Sequence, residues 1–232
     1  MQQAALIVAH GFPSDPTPQE HRLKALARDV AAHLPGWQVR GATLAAPGAL
    51  EAALDAMAPP LVYPFFMAEG WFTGSELPRR LAGRAQAQLA PFGVSPRLDA
   101  LITATLAASL ADQGWQGRDT GLLLAAHGSQ RSRTSADSTY ALADRLRATM
   151  PWREIRCGFI EEDPRLASTA RDMGQAICLP FFALTAGHVL DDLPQALTEA
   201  AFAGPLLPPI GMAPDVAALI AADLHAALPA GA

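Results

Sequence analysis

Two hydrophobic periods alternate along this chain. Residues 122–126, 155–160 and 177–182 are short, nearly continuous apolar runs, the pattern of strands buried on both faces of a sheet. Between such runs the spacing lengthens. Leu142, Leu146 and Met150 recur every four residues, and Leu23, Leu26, Val30 and Leu34 every three or four, as on the inner face of a helix. Strands that alternate with helices predict βαβ units and a parallel sheet, because a parallel pair needs a long crossover between its members.

The alternation is written twice. "ALIVAHGFPSD" at residues 5–15 matches "LLLAAHGSQRS" at residues 122–132, an offset of 117 from His10 to His127. The same offset carries Gly41 to Gly158 and Pro47 to Pro164, and "VYPFFMAEGWFTGSELPRRL" then matches "CLPFFALTAGHVLDDLPQAL" at an offset of 116. Such self-similarity predicts a duplicated domain. The expected architecture is two doubly wound α/β domains, residues 1–111 and 118–232, joined through the polar segment "DQGWQGRD".

Composition narrows the function classes. With 232 residues, 50% hydrophobic and 17% charged, the chain is an ordinary globular sequence, and its net charge of −5 disfavours nucleic acid as the main partner. No basic stretch precedes the first apolar run, and no run approaches the roughly 20 residues of a membrane helix, so the expectation is a soluble, cytoplasmic protein without a membrane partner. Cys157 and Cys178 lie inside apolar segments without a second thiol at ligand spacing, which predicts reduced core residues. Of 17 basic residues 16 are arginine, a bias that suits carboxylate binding but that a GC-rich genome also produces. Oligomeric state is left open.

In an open parallel sheet, ligands bind at the carboxyl ends of the strands. His127 closes the first predicted strand of the second half, Glu161 the next, and His188 follows the third by a short loop. Two imidazoles and a carboxylate from separate strands form a plausible ligand set for a divalent first-row metal with exchangeable positions. Taken singly, each has a plainer explanation as a turn residue or, for Glu161, as the start of the acidic Glu161-Glu162-Asp163 loop. The first half argues for the combination: it keeps His10, while the repeat offsets set Leu44 at the place of Glu161 and Phe72 at that of His188. Signatures of nucleotide-binding P-loops, nucleophile elbows, zincins and dinucleotide folds do not occur.

At "LLLAAHGSQRSRTS", "GFIEEDP" and "PFFALTAGHVLDDLP" the second half resembles the sirohydrochlorin chelatases of the CbiX type, within the class II tetrapyrrole chelatases. The resemblance implies two flavodoxin-like domains and insertion of a divalent metal into a sirohydrochlorin-type tetrapyrrole, as in cobalamin biosynthesis. It implies no cofactor beyond the metal substrate, cobalt first, with iron or nickel as alternatives. It makes His127, His188 and Glu161 the catalytic and metal-binding positions. Insertion strips water from the ion and removes two pyrrole N–H protons, work that neutral imidazole suits near pH 7. A macrocycle ringed by carboxylates needs local positive charge, for which Arg131 and Arg133 are the first candidates. Asp191 and Asp192 read as caps of the following helix, and Trp71 and Phe72 as filling of the interdomain core or a macrocycle platform. A non-catalytic metal or tetrapyrrole carrier fits the same triad; a periplasmic metal-binding protein fits less well.

Overall fold

The computed structural model describes residues 2–129, 134–185 and 191–228. Strands and helices alternate as the periodicity predicts. In the first half these are β1 (Ala4–Ala9), α1 (Thr17–Ala32), β2 (Gln38–Thr43), α2 (Ala49–Asp55), β3 (Leu61–Pro64), α3 (Leu77–Leu81), β4 (Ala87–Gln88) and α4 (Leu98–Gln113). The second half repeats them as β5 (Gly121–Ala126), α5 (Thr134–Thr149), β6 (Glu154–Phe159), α6 (Leu166–Thr169), β7 (Ala176–Pro180), α7 (Leu193–Glu199) and α8 (Val216–Ala226).

All pairings are parallel. One sheet runs β2-β1-β3-β4 and the other β6-β5-β7, with a single bridge from Cys178 to Leu206 where the first sheet pairs Val62 with Gln88. The central strands β1 and β5 are buried along their whole length, which is why both read as unbroken apolar runs rather than as alternation. The helical stripes are the inward faces: Leu23, Ala27 and Val30 of α1 and Leu142, Ala143 and Leu146 of α5 are buried. Residues matched by the repeat fill matched places. Leu50, Leu77 and Leu81 belong to the core beside β1 and β3, as Leu166, Leu193 and Leu197 do beside β5 and β7.

The register of the two sheets places the residue missing from the second half. β1 and β5 correspond at an offset of 117, yet Ala9 pairs with Thr43 and Ala126 with Phe159, so β2 and β6 correspond at 116. The loss therefore falls in the turn before β6, between α5 and residue 154, and not after Pro164. Gly41 and Gly158, which look equivalent in the sequence, occupy adjacent rather than matching ladder positions.

The compact units cut across the repeat halves. One comprises residues 1–95 with 214–232, the other residues 96–213, so the boundaries differ from 1–111 and 118–232. The final helix of each half is the cause. α8 buries Val216, Leu219, Ile220 and Leu224 in the first unit, where Asp223 Oδ2 accepts the Tyr63 hydroxyl at 2.9 Å. α4 belongs to the second unit, where Asp99 receives both Arg145 Nε at 2.6 Å and Arg145 Nη2 at 3.0 Å. Each fully buried Leu or Ile contributes about 1.5–3 kcal/mol, so burial of an apolar helix face outweighs sequence proximity in deciding where it packs. Among the described residues no helix is long and apolar enough to cross a membrane.

Candidate active site

His127 leaves the carboxyl end of β5 and Glu161 follows β6 by two residues. Their loops are tied together: Ile160 N–H donates to Ala126 O at 3.1 Å and Glu161 N–H to His127 O at 2.9 Å. This continuation of the ladder brings the side chains together, with His127 Nδ1 at 3.6 Å from Glu161 Oε2 and both side chains about 40% exposed (40% and 42%). The separation is too long for a direct hydrogen bond. His127 Nδ1 lies 3.1 Å from Gly128 O, and a carbonyl only accepts, so in the neutral ring this contact favours the tautomer with the proton on Nδ1 and the lone pair on Nε2. A neutral imidazole so oriented is equipped to bind a metal ion or accept a proton, with the carboxylate beside it balancing positive charge.

His188, Arg131 and Arg133 lie outside the described residues. Among the described residues no three His, Cys, Asp or Glu side chains gather at ligand spacing; what the structure brings together of the expected triad is His127 with Glu161. Asp192, expected as a cap, has helical backbone angles at the start of α7 and makes no side-chain capping bond.

The neighbour Glu162, set aside in the sequence as part of an acidic loop, has a definite structural task. Its Oε1 accepts the backbone N–H of Ser129 at 2.9 Å, so the carboxylate anchors the loop that carries His127. Gly128 makes this approach possible. It has φ +72°, and a Cβ there would lie 2.8 Å from both Cγ and Oε1 of Glu162. The signal available in the sequence was the Ala-His-Gly-Ser string facing a Glu-Glu doublet; nothing in it told which glutamate turns toward the loop.

The first unit holds the degenerate version of this arrangement. Ala45 N–H donates to His10 O at 2.8 Å and Leu44 N–H to Ala9 O at 2.9 Å. Ala45, not Leu44, is therefore the counterpart of Glu161, and Leu44 corresponds to Ile160; both of these apolar side chains pack on their core clusters. The correction follows from the earlier position of the missing residue. It leaves the first unit without a carboxylate at this place. The ring of Phe72, at the matched position of His188, lies 4.1 Å from that of His10. His10 Nδ1 is buried without a hydrogen-bond partner among the described residues, and burial holds its pKa below the usual imidazole value. Trp71, 63% exposed, meets the edge of Phe72 at 5.0 Å and Phe66 stacks on it at 6.1 Å.

Comparison with known proteins gives this geometry its context. Residues 121–227 match the CbiX family model. A probable sirohydrochlorin cobaltochelatase of Halobacterium salinarum is 24% identical over 162 residues, 58% of this chain and 55% of that protein, so the chain spans about half the length of this curated relative. The solved structure of CbiX described as the terminal enzyme for biosynthesis of siroheme in denitrifying bacteria is 50% identical, with 98% of this chain and 100% of that one covered and a TM-score of 0.89. The structure of SirB from Bacillus subtilis with Fe3+ shares the fold at 16% identity and a TM-score of 0.76, over 97% of this chain and 95% of that one. Half-identical over its length to a solved CbiX and carrying the His127–Glu161 pair in the half that the family model covers, the chain belongs to the CbiX family of metal chelatases.

Proposed function

We propose that this protein inserts a divalent metal ion into sirohydrochlorin. The observation that carries the reading is the meeting of His127 and Glu161 at 3.6 Å across two strand ends, in a chain whose 50% identical relative is the terminal enzyme of siroheme biosynthesis. His127, Glu161 and His188 form the metal-capturing and catalytic set. The contact of His10 with Phe72 in the first unit supports the inclusion of His188, because it is between these two positions that the duplicated fold brings rings together. Arg131 and Arg133 hold substrate carboxylates.

The hydrated ion exchanges water for imidazole and carboxylate, then exchanges those for the four macrocycle nitrogens, while the two N–H protons leave, one to a site imidazole and one to solvent water. Nε2 of His127, bearing the lone pair, is suited to ligation or to accepting one of those protons. Glu161 lowers the cost of holding a cation beside imidazole.

Cobalt is the metal of this proposal, consistent with the cobaltochelatase relative. Iron is the second reading, favoured by the siroheme role of the full-length relative. Selectivity among divalent ions depends on geometry and supply more than on donor type. Anaerobic steady-state metallation of sirohydrochlorin with cobalt, iron and nickel, at catalytic protein concentration, tests both parts. Turnover with at least one ion is expected; stoichiometric binding without turnover would establish a carrier instead.

A further inference from the structure

In the first unit the groove between α2 and α3 is closed by ion pairs. Arg80 donates Nε and Nη2 to Glu51 at 3.0 and 2.7 Å and Nη1 to Leu44 O at 2.9 Å, and Arg84 pairs with Asp55. The register carries these four residues to the second unit at an offset of 116, where every partner is changed. Glu51 becomes Ala167, Arg80 becomes Ala196, Arg84 becomes Ala200 and Asp55 becomes Arg171. The groove between α6 and α7 is consequently open, a cavity of about 640 Å³. Phe159, Ile160 and Leu166 floor it, with Arg165 and Arg171 on the α6 side and Asp192 and Glu199 on the α7 side.

Two features give the cavity a chemistry. Its lining includes Ile160, the residue before Glu161, so the cavity lies on the same strand end that carries the candidate metal site. Its two arginines are also differently engaged. Arg165 is committed to Ile160 O at 2.5 Å, restoring the strand-end bond that Arg80 makes to Leu44 O. The Arg171 guanidinium has no hydrogen-bond or ion-pair partner among the described residues, and the arginine whose counterpart paired with Asp55 is replaced by alanine. A planar guanidinium over an apolar floor matches a carboxylate on a short aliphatic arm, the methylenes lying on Ala167, Ala196 and Ile160. The acidic wall formed by Asp192 and Glu199 works against a doubly charged group such as phosphate.

Building on the proposed function, we infer that the α6–α7 groove is a subsite for one peripheral carboxylate arm of the tetrapyrrole, with Arg171 as its anchor. The test is direct binding of metal-free sirohydrochlorin, read by its fluorescence, alongside the cobalt absorption spectrum of the protein without macrocycle. The double variant Ala167→Glu/Ala196→Arg refills the groove with the ion pair that the first unit already accommodates, and Arg171→Ala removes the anchor. Each is expected to weaken macrocycle binding about tenfold, equivalent to about 1.4 kcal/mol, with the cobalt spectrum unchanged. Arg171→Lys is expected to retain most of the affinity. Wild-type affinity in both Arg171→Ala and the refilled variant would overturn the subsite while leaving metal insertion standing. Absence of macrocycle binding by the wild-type protein would instead remove the proposed function, and the subsite with it.

Discussion

The imidazole of His10 packs on the ring of Phe72, centroids 4.1 Å apart and planes tilted by 40°. A histidine at a strand end thus faces a phenylalanine where the other half of the sequence has His188. The His10 Nδ1 is buried without a hydrogen-bond partner among the described residues. The first half keeps the fold of the site without its donor set.

His10 is accordingly expected to be dispensable for catalysis and costly in acid. His10→Leu should metallate sirohydrochlorin within about twofold of the wild-type rate. Burial lowers the folded-state pKa, so the unfolded chain binds the proton more readily than the native one. The stability linked to His10 is present above its unfolded pKa of about 6.5 and is lost as pH falls from there through the lowered folded value. Thermal melts between pH 7 and pH 5 should show a shallower acid decline in His10→Leu; an unchanged slope would exclude this account.

His127 and His188 should behave in the opposite way. On the proposed assignment each imidazole serves as metal donor or base, so His127→Ala and His188→Ala should each lower kcat at least about a hundredfold with macrocycle binding intact. Glu161→Gln, which keeps shape and loses charge, should weaken metal capture more than substrate affinity. Near wild-type rates in both histidine variants would sink the site assignment.

Glu162 acts through the loop that holds His127. Glu162→Ala removes the acceptor from the Ser129 N–H, an exchange expected to cost about 1–3 kcal/mol of stability and to lower kcat with little change in KM. Glu162→Gln retains an acceptor oxygen and should recover most of both. If Ala and Gln variants lose activity equally, the negative charge itself is used and the anchoring role is insufficient.

The thiols offer a check of packing. Burial pushes the Cys157 thiol up to about 11 and that of Cys178 up to about 12, and the thiolate is the reactive form. Folded protein at pH 8 should take up no iodoacetamide at either position, and both should react in denaturant. Mass spectrometry of the alkylated protein decides this.

Much of the molecule was legible before any coordinates. The period of apolar residues announced parallel α/β units, since strands buried on both faces and helices buried on one leave different spacings. Comparison of the halves singled out Glu161 and His188 as donors that the first half lacks, beside a histidine that both halves keep. Other features rest on hydrogen bonding and packing at a distance. The ladder, by pairing Ala126 with Phe159 and Ala9 with Thr43, moved the missing residue to the turn before β6 and made Ala45 the partner position of Glu161; glycines and prolines used as landmarks carry no register. Glu162 rather than its neighbours reaches the Ser129 N–H because Gly128 clears the space, a condition of three dimensions. The packing of α4 and α8 outside their own repeat halves was equally invisible, for an apolar helix face specifies that it must be buried and not against which sheet.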